Sequence, residues 1–459
     1  MISQLALALL GHSLMLVEGG LGFLAEPSQA GSGSVAAASS MGQGNEIVLN
    51  GRTYSAAWAQ WTPTSLPNQT IIGISDSGLS QRLGFDLRDT NTALQQPVSW
   101  FTPQPITLAT RFSQTGAFRY LEVSSLAQTL GWQLRPEGNK LFLTSPPSQV
   151  RSLRLGRQTW GTRIVLDLDQ PTPWQLARLT NSRDGIANRE FTVTLDATAA
   201  ATTVKRWTLP SGNALKSLEV KTQKGQTTVQ GVMGGIFQPQ MQMLTNPPRL
   251  VIDLQSTPPR SRDILWAPGL RWREQLVTLG QRQFPVIWLT IDPRQPNLRL
   301  KPIWGNLQAL PGIQPLMAIA SQSRSAAAIN GGFFNRDNQT PLGAIRQDGQ
   351  WISSPILGRG VVAWDAQGQL KLGRISLKSM ITTQGGQQRE VVSINSGYPQ
   401  KGIAQYTPTW GARYTPLLEN EQIITVVKDT VTTHQSSRSA KTFAIPANGY
   451  LLVLRSISS

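Results

Sequence analysis

The sequence of 459 residues contains no cysteine and only two histidines, His12 and His434. Without cysteine there is no disulfide framework, thiolate nucleophile or cysteine-bound metal. With His12 inside a candidate leader, the mature chain is left with His434 in a polar Thr-Thr-His-Gln-Ser stretch. That is too little for a multi-histidine zinc site or a Ser-His-Asp reading, and a solvent-exposed loop position is expected for it. Charge is also scarce, at 15% of residues. Acidic groups are scarcer than basic ones, 25 against 42, so the chain carries +17. After the first 40 positions no apolar run reaches the roughly 18 residues of a membrane-spanning helix, so none is expected in the mature chain.

Glycine (41) and proline (30) are abundant, with a large share of Ser, Thr and Gln, a composition that fits a β-rich exported protein. Residues 1–30 read as a signal peptide. Leu5–Leu10 and Leu14–Val17 form its apolar stretch, and Ser28-Gln29-Ala30 is a small-x-small cleavage site. The Gly/Ser/Ala-rich residues 31–44 read as a flexible linker. The positive excess is mostly scattered arginine, with one concentration over Arg260–Lys301 that includes Arg271, Arg273, Arg282 and Arg299. Such a stretch is either a solvated basic face or attracts an anionic partner. In an exported protein that partner is peptidoglycan, another anionic envelope glycan or a lipid head-group. Nucleic acid is not expected, because no binding module for it is visible.

Three globular segments follow. The first, 45–146, opens with EIVLNGRTYSAAW, two strands around an Asn-Gly turn. It closes with a short helix over Val123–Leu130, capped by Ser124 or Ser125 and ended by Gly131, then a hairpin around Glu137-Gly138-Asn139. This pattern resembles the copper amine oxidase N-terminal-like domain, a non-catalytic accessory module. No copper ligands are visible in it, and its tryptophans are expected mainly in the core. The second segment, 150–256, has alternating strands at Thr162–Leu168, Phe191–Leu195 and Thr227–Val232, and ends in NPPRLVIDL. TRIVLDLDQPTPW together with NPPRLVIDL resembles the AMIN domain. The resemblance implies a β-sandwich-like module that holds envelope proteins to peptidoglycan. Asp167, Asp169 and Asp253 sit in the repeated LDL/IDL strand endings, where a structural role is expected.

The third segment, 265–459, holds the most informative stretch, Ala326–Gly349 (AAAINGGFFNRDNQTPLGAIRQDG). Ala326–Ile329 has the small apolar side chains of a buried strand. Asn330-Gly331-Gly332 breaks it and lets backbone approach a ligand without an intervening Cβ. Phe333 and Phe334 point to opposite faces if the chain is extended, one into the core and one into a pocket. Gly343 and Asp348-Gly349 mark two further turns. Backbone N–H groups at Asn330–Gly332 suit an oxyanion or a sugar hydroxyl. Asn330 and Asn335 suit hydroxyls, Arg336 and Arg346 suit phosphate, and Asp337 and Asp348 are the nearest carboxylates. Asp348 lies in a turn where Asp-Gly is ordinary turn chemistry.

INGGFFNRDNQTPLGAIRQDGQW, followed by the strand-like GRGVVAWD, QYTPTWG (Gln405–Gly411) and FAIPANGYLLVL (Phe443–Leu454), resembles the phosphodiester glycosidase family. This is the family of the lysosomal uncovering enzyme, and the likeness runs from about Leu265 to Ser459. It implies a partial α+β domain in which Asn330, Gly331, Gly332 and Phe334 match the motif directly; Asn335, Arg336 and Gly343 are added as substrate-binding candidates and Asp337 as the catalytic candidate, and no cofactor or metal is expected. The family's second half, with its RTAIG-like strand and DGGGS-type loop, is not in the sequence. The resemblance therefore implies weak or no hydrolysis by this chain alone, with unpaired strand edges and exposed apolar surface.

The expected whole is a β-rich α+β multidomain protein, exported to the periplasm or cell wall. It is expected to hydrolyse a sugar–phosphodiester linkage of an envelope glycan, or alternatively to bind peptidoglycan or another glycan without catalysis.

Overall fold

The computed structural model describes residues 39–456, apart from 64, 66, 114–115, 117, 178–179, 183–184, 210–212, 257–259 and 307–308. The expected signal peptide and the start of the expected linker lie outside the described residues. The rest divides into two compact units, 39–291 and 292–456. Strands dominate both, and the chain is a β-rich multidomain protein.

The first unit opens on a hairpin whose turn residues Asn50 and Gly51 are both left-handed, with φ of 44° and 85°. This conformation matches the twist of the flanking strands and selects Asn-Gly. Ser39–Leu49 pairs antiparallel with Arg52–Thr62 and parallel with Lys140–Thr144. The strand therefore begins inside the expected 31–44 linker. Its glycines mark close approach, not flexibility: a Cβ on Gly44 would overlap the Asn139 carbonyl and the Trp58 indole. The helix forms at Ser124–Thr129 and Gly131 closes it at φ 67°. Ser124 does not cap it; its hydroxyl accepts the Ile72 N–H at 2.7 Å. The expected second hairpin forms from Gln133–Glu137 and Lys140–Thr144. Trp58, Trp100 and Trp132 are buried, and Trp100 stacks on Phe85 with ring centroids 5.0 Å apart, so these rings fill the core.

Residues 149–255 build a five-stranded and a six-stranded sheet joined by a common core. In the five-stranded sheet Gly161–Leu168 pairs antiparallel with Arg249–Gln255. Each strand carries Arg-x-x-x-Asp, and the antiparallel register sets Arg163 opposite Asp253 and Asp167 opposite Arg249. Arg163 donates two 2.7 Å bonds to Asp253, and Arg154 clamps Asp167 at 2.7 and 2.9 Å. Asp169 accepts the Ser148 hydroxyl and the Gln149 N–H. The three carboxylates are thus spent on the sheet itself, for the reason the repeated strand ending suggested.

The resemblance opens the third segment at Leu265, whereas the first unit extends through Ile291. A three-stranded sheet over Arg262–Ala267, Leu270–Leu279 and Arg282–Ile291 packs there because buried polar groups hold it. Asp76 accepts Arg119 Nε at 3.0 Å and Trp266 Nε1 at 2.6 Å. Arg119 Nη1 donates to the carbonyls of Leu265 and Trp266, and Arg262 pairs with Asp86 at 2.8 Å. Arg119 has no exposed side-chain surface. Undoing this set would take the Trp266 donor from buried Asp76 and two carbonyl acceptors from buried Arg119, so the three-stranded sheet belongs to this unit.

The second unit is built on a six-stranded sheet, whose order runs 380–382, 388–394, 402–406, 449–455, 421–427 and 430–436. Tyr406, Trp410, Tyr414, Ile423, Leu451 and Val453 form its core with Leu310. Around it sit short hairpins: 333–334 with 341–342, 345–347 with 350–353, and 360–364 with 370–374. Large apolar side chains stand in solvent here, among them Phe333 and Leu372. Among the described residues of both units no helix is long and apolar enough to cross a membrane.

Candidate functional site

The glycine loop differs from its expected form. Ala326–Ile329 is not a buried strand; it follows the helix Leu316–Gln322 as irregular chain, and Ile329 is 42% exposed. Three alanines offer little apolar area to bury, and the run has no strand neighbour among the described residues. Phe333 and Phe334 do form an extended pair, against Leu342 and Pro341. Neither enters the core: they are 72% and 45% exposed. A two-residue hairpin with no layer behind it leaves both faces in solvent, so the expected division between core and pocket does not arise. Gly331 and Gly332 are exposed, and a Cβ on either would meet nothing within 4 Å. The backbone of 330–332 is thus open to a ligand.

The next residues are committed to the turn. Asn335 Oδ1 accepts the N–H of Asp337 at 2.9 Å, its own N–H donates to the Thr340 carbonyl, and its carbonyl accepts from Gln339. Its amide carbonyl is therefore an Asx-turn acceptor and is not free for a sugar hydroxyl. Arg336 and Asp337 are exposed on that turn, and Asp337 lacks the burial that shields a general acid from water. Gly343 has φ 137° with open space beside it. Arg346 gives Nε and Nη2 to the Gly349 carbonyl at 3.3 and 3.2 Å and lies over Trp351, so its hairpin holds it. Asp348 and Gly349, at φ 51° and 79°, make the expected tight turn.

What braces this loop was not read from the sequence. Thr340 is buried against Gly397, where any Cβ would overlap the threonine side chain. Gly397 follows Asn395-Ser396. Asn395 is buried; its Oδ1 accepts Thr407 N–H and its Nδ2 donates to Thr407 Oγ1, both at 2.8 Å. Tyr406 OH donates to the Ser396 carbonyl at 2.8 Å, and Arg455 Nη2 donates to Tyr406 OH at 2.7 Å. Gly402–Tyr406 pairs with Gly449–Arg455, and Arg413–Tyr414 pairs with Phe443–Ala444. The second and third motifs, far apart in sequence, thus share one hydrogen-bonded framework, and the glycine loop packs against it where Thr340 meets Gly397. The one available signal was the Asn-Ser-Gly run after an alternating strand, a weak cue without a partner to point at.

No family model and no curated protein matches the chain. A solved structure does: a hypothetical protein from Synechocystis, with a TM-score of 0.79 and 39% sequence identity over 90% of this chain and 72% of that one. The chain belongs to the family of that Synechocystis protein. A match of this extent reaches into both units, so the β-rich multidomain architecture is a property of the Synechocystis family.

At the centre of the framework in this family member lies a buried charge pair. Arg455 Nε donates to Glu421 Oε1 at 2.6 Å, and neither side chain has exposed surface. Tyr414 OH donates to Glu421 Oε2 at 2.6 Å and accepts from Arg455 at 2.9 Å. Burial pushes the Tyr406 and Tyr414 hydroxyls well above the usual phenol range, against the opposing pull of Arg455. A group whose folded pKa is raised contributes stability that is complete below its unfolded pKa, about 10 for tyrosine. That stability is lost as pH rises above this value towards the folded pKa. Two outcomes are expected: the second unit loses stability above about pH 10, and the native chain's alkaline phenolate absorbance falls short of the denatured chain's by the Tyr406 and Tyr414 contributions. A native spectrum showing both phenolates near pH 10 would contradict this.

Other candidate features are modest. Among the described residues no group of three or more His, Asp or Glu is placed to hold a metal ion. His434 is exposed, on the strand Thr430–Ser436 and not in a loop, with Nε2 3.1 Å from Gln422 Oε1. A shallow depression of about 560 Å³ is lined by Thr415–Glu419, Ser437, Ala440 and Lys441, none of them residues of the glycine loop. Its lining includes Glu419 and Lys441, but it is open to solvent and holds none of the motif residues, so the glycine loop is the better candidate.

Proposed function

We propose that this protein is an exported envelope protein of phosphodiester glycosidase type, which engages a sugar–phosphodiester linkage of an envelope glycan through Asn330–Phe334. The observation that carries the reading is the packing of the glycine loop, with its open backbone and exposed aromatic rings, against the framework that the other two motifs share. Backbone N–H groups suit the oxyanion, and an aromatic face suits the apolar face of a sugar ring. Residues 45–146 and 150–256 serve as the accessory modules, the latter an AMIN-like domain that holds the protein to peptidoglycan in the periplasm or cell wall. The exposed setting of Asp337 favours a second reading, in which the site binds glycan without cleaving it.

The test is turnover of a chromogenic sugar phosphodiester by the full chain, beside co-sedimentation with purified peptidoglycan over a salt series. Sedimentation that weakens with salt, with turnover well below that of an active glycosidase, is the expected result. Rapid turnover would remove the binding-only reading. Sedimentation no better than that of an unrelated basic protein would remove the envelope anchor.

A further inference from the structure

Among the arginines near the glycine loop, one differs from those singled out in the sequence. Arg359 follows the turn Leu357–Gly358, both left-handed at φ 51° and 58°, and its guanidinium carbon lies 5.0 Å from the centroid of the Phe333 ring. Its Nη1 is buried and has no hydrogen-bond partner. Arg346, by contrast, is tied to the Gly349 carbonyl. No ion pair or side-chain hydrogen bond engages Arg359 among the described residues, and the residue is only partly buried, so its other guanidinium donors are available to an anion. The Phe333 ring beneath the guanidinium is 72% exposed, so it presents a free aromatic face beside the positive group. On its other side in the chain lie Gly331 and Gly332, with no atoms above them.

We propose that Arg359 and Phe333 form a two-part binding site in which Arg359 holds the phosphate of a singly charged sugar phosphodiester and Phe333 carries the sugar ring. The inference rests on the phosphodiester reading above and replaces Arg346 with Arg359 as the phosphate-holding arginine. The guanidinium supplies several donors in a fixed fork, which suits two oxygens of one phosphate. The ring also fixes the guanidinium plane, so little side-chain freedom remains to be lost on binding.

The experiment measures binding of methyl α-D-glucopyranosyl phosphate and of neutral methyl α-D-glucopyranoside to the full chain by ligand-observed NMR titration. Wild type, Arg359→Gln, Arg359→Lys and Phe333→Ala are compared, and turnover of the chromogenic diester is recorded in parallel. Arg359→Gln should weaken the diester about tenfold or more and leave the glycoside unchanged. Arg359→Lys, which keeps the charge but not the fork, should fall between the two. Phe333→Ala should weaken both probes. Binding of the diester by Arg359→Gln as tightly as by wild type overturns the inference, whatever the turnover. Arg359-dependent binding without turnover sustains the inference while removing hydrolysis. Failure of wild type to bind the diester overturns both.

Discussion

Replacing Glu421 by Gln should lower the stability of residues 292–456 by about 3–5 kcal/mol. The substitution removes the countercharge of Arg455 while its guanidinium stays enclosed, since both side chains have no exposed surface. The cost is that of an unpaired buried charge, and the strength of the original pair does not set it. Tyr414 and the Leu417 N–H lose their carboxylate acceptor at the same time. The double variant Glu421→Leu/Arg455→Met should recover much of the loss, because apolar side chains of similar volume leave no charge to compensate. Two units make a single global transition an unsafe readout. Amide exchange in the strands Gly402–Tyr406 and Gly449–Arg455 is the better one. If Glu421→Gln leaves that protection within about 1 kcal/mol of wild type, the pair is not the structural centre described above.

The second large effect should come from Gly397→Ala. The new Cβ would overlap the Thr340 hydroxyl, and Thr340 is 3% exposed, so the threonine cannot simply swing into solvent. Residues 335–340 must move, and overpacking of this kind costs about 1–3 kcal/mol. Because Thr340 carries the turn that ends in Phe333–Phe334, amide exchange over 330–343 should rise about tenfold, following that cost. The sheet should stay protected. Adding Thr340→Ala removes the nearest atom and should restore part of the protection. Gly331→Ala provides the contrast: nothing lies within 4 Å of its Cβ position. It should change stability by less than about 0.5 kcal/mol while placing a methyl group in the ligand's path. Equal loop protection in Gly397→Ala and wild type would show that Gly397 does not brace the site.

Features set by neighbouring residues were legible in advance. The Asn50-Gly51 and Asp348-Gly349 turns follow from side chains that tolerate left-handed backbone, and both formed as expected. The alternating runs at Thr162–Leu168 and Thr227–Val232 became strands because one face of each could be buried. The Arg-x-x-x-Asp spacing of Gly161–Leu168 and Arg249–Gln255 explains why Asp167 and Asp253 are structural. Composition misled where glycine has two physical uses. Gly42 and Gly44 looked like linker residues, yet Gly44 is where one strand approaches another too closely for a side chain. Ala326–Ile329 looked like a buried strand, yet small side chains and no neighbour left it irregular.

By itself the sequence determined the β-rich class, the local turns and the alternating strands. All of these depend on short-range backbone preference and on the alternation of apolar residues. Only the tertiary structure decided which motifs meet, that Arg262–Ile291 stays with the first unit, and that Arg359 lies beside Phe333 while Arg346 is occupied. It also decided that Gly397 braces Thr340 and that Arg455 and Glu421 neutralise each other. These outcomes depend on contacts between residues distant in the chain. A buried charge or a close-packed glycine carries no mark in its own neighbourhood of the partner that makes it tolerable.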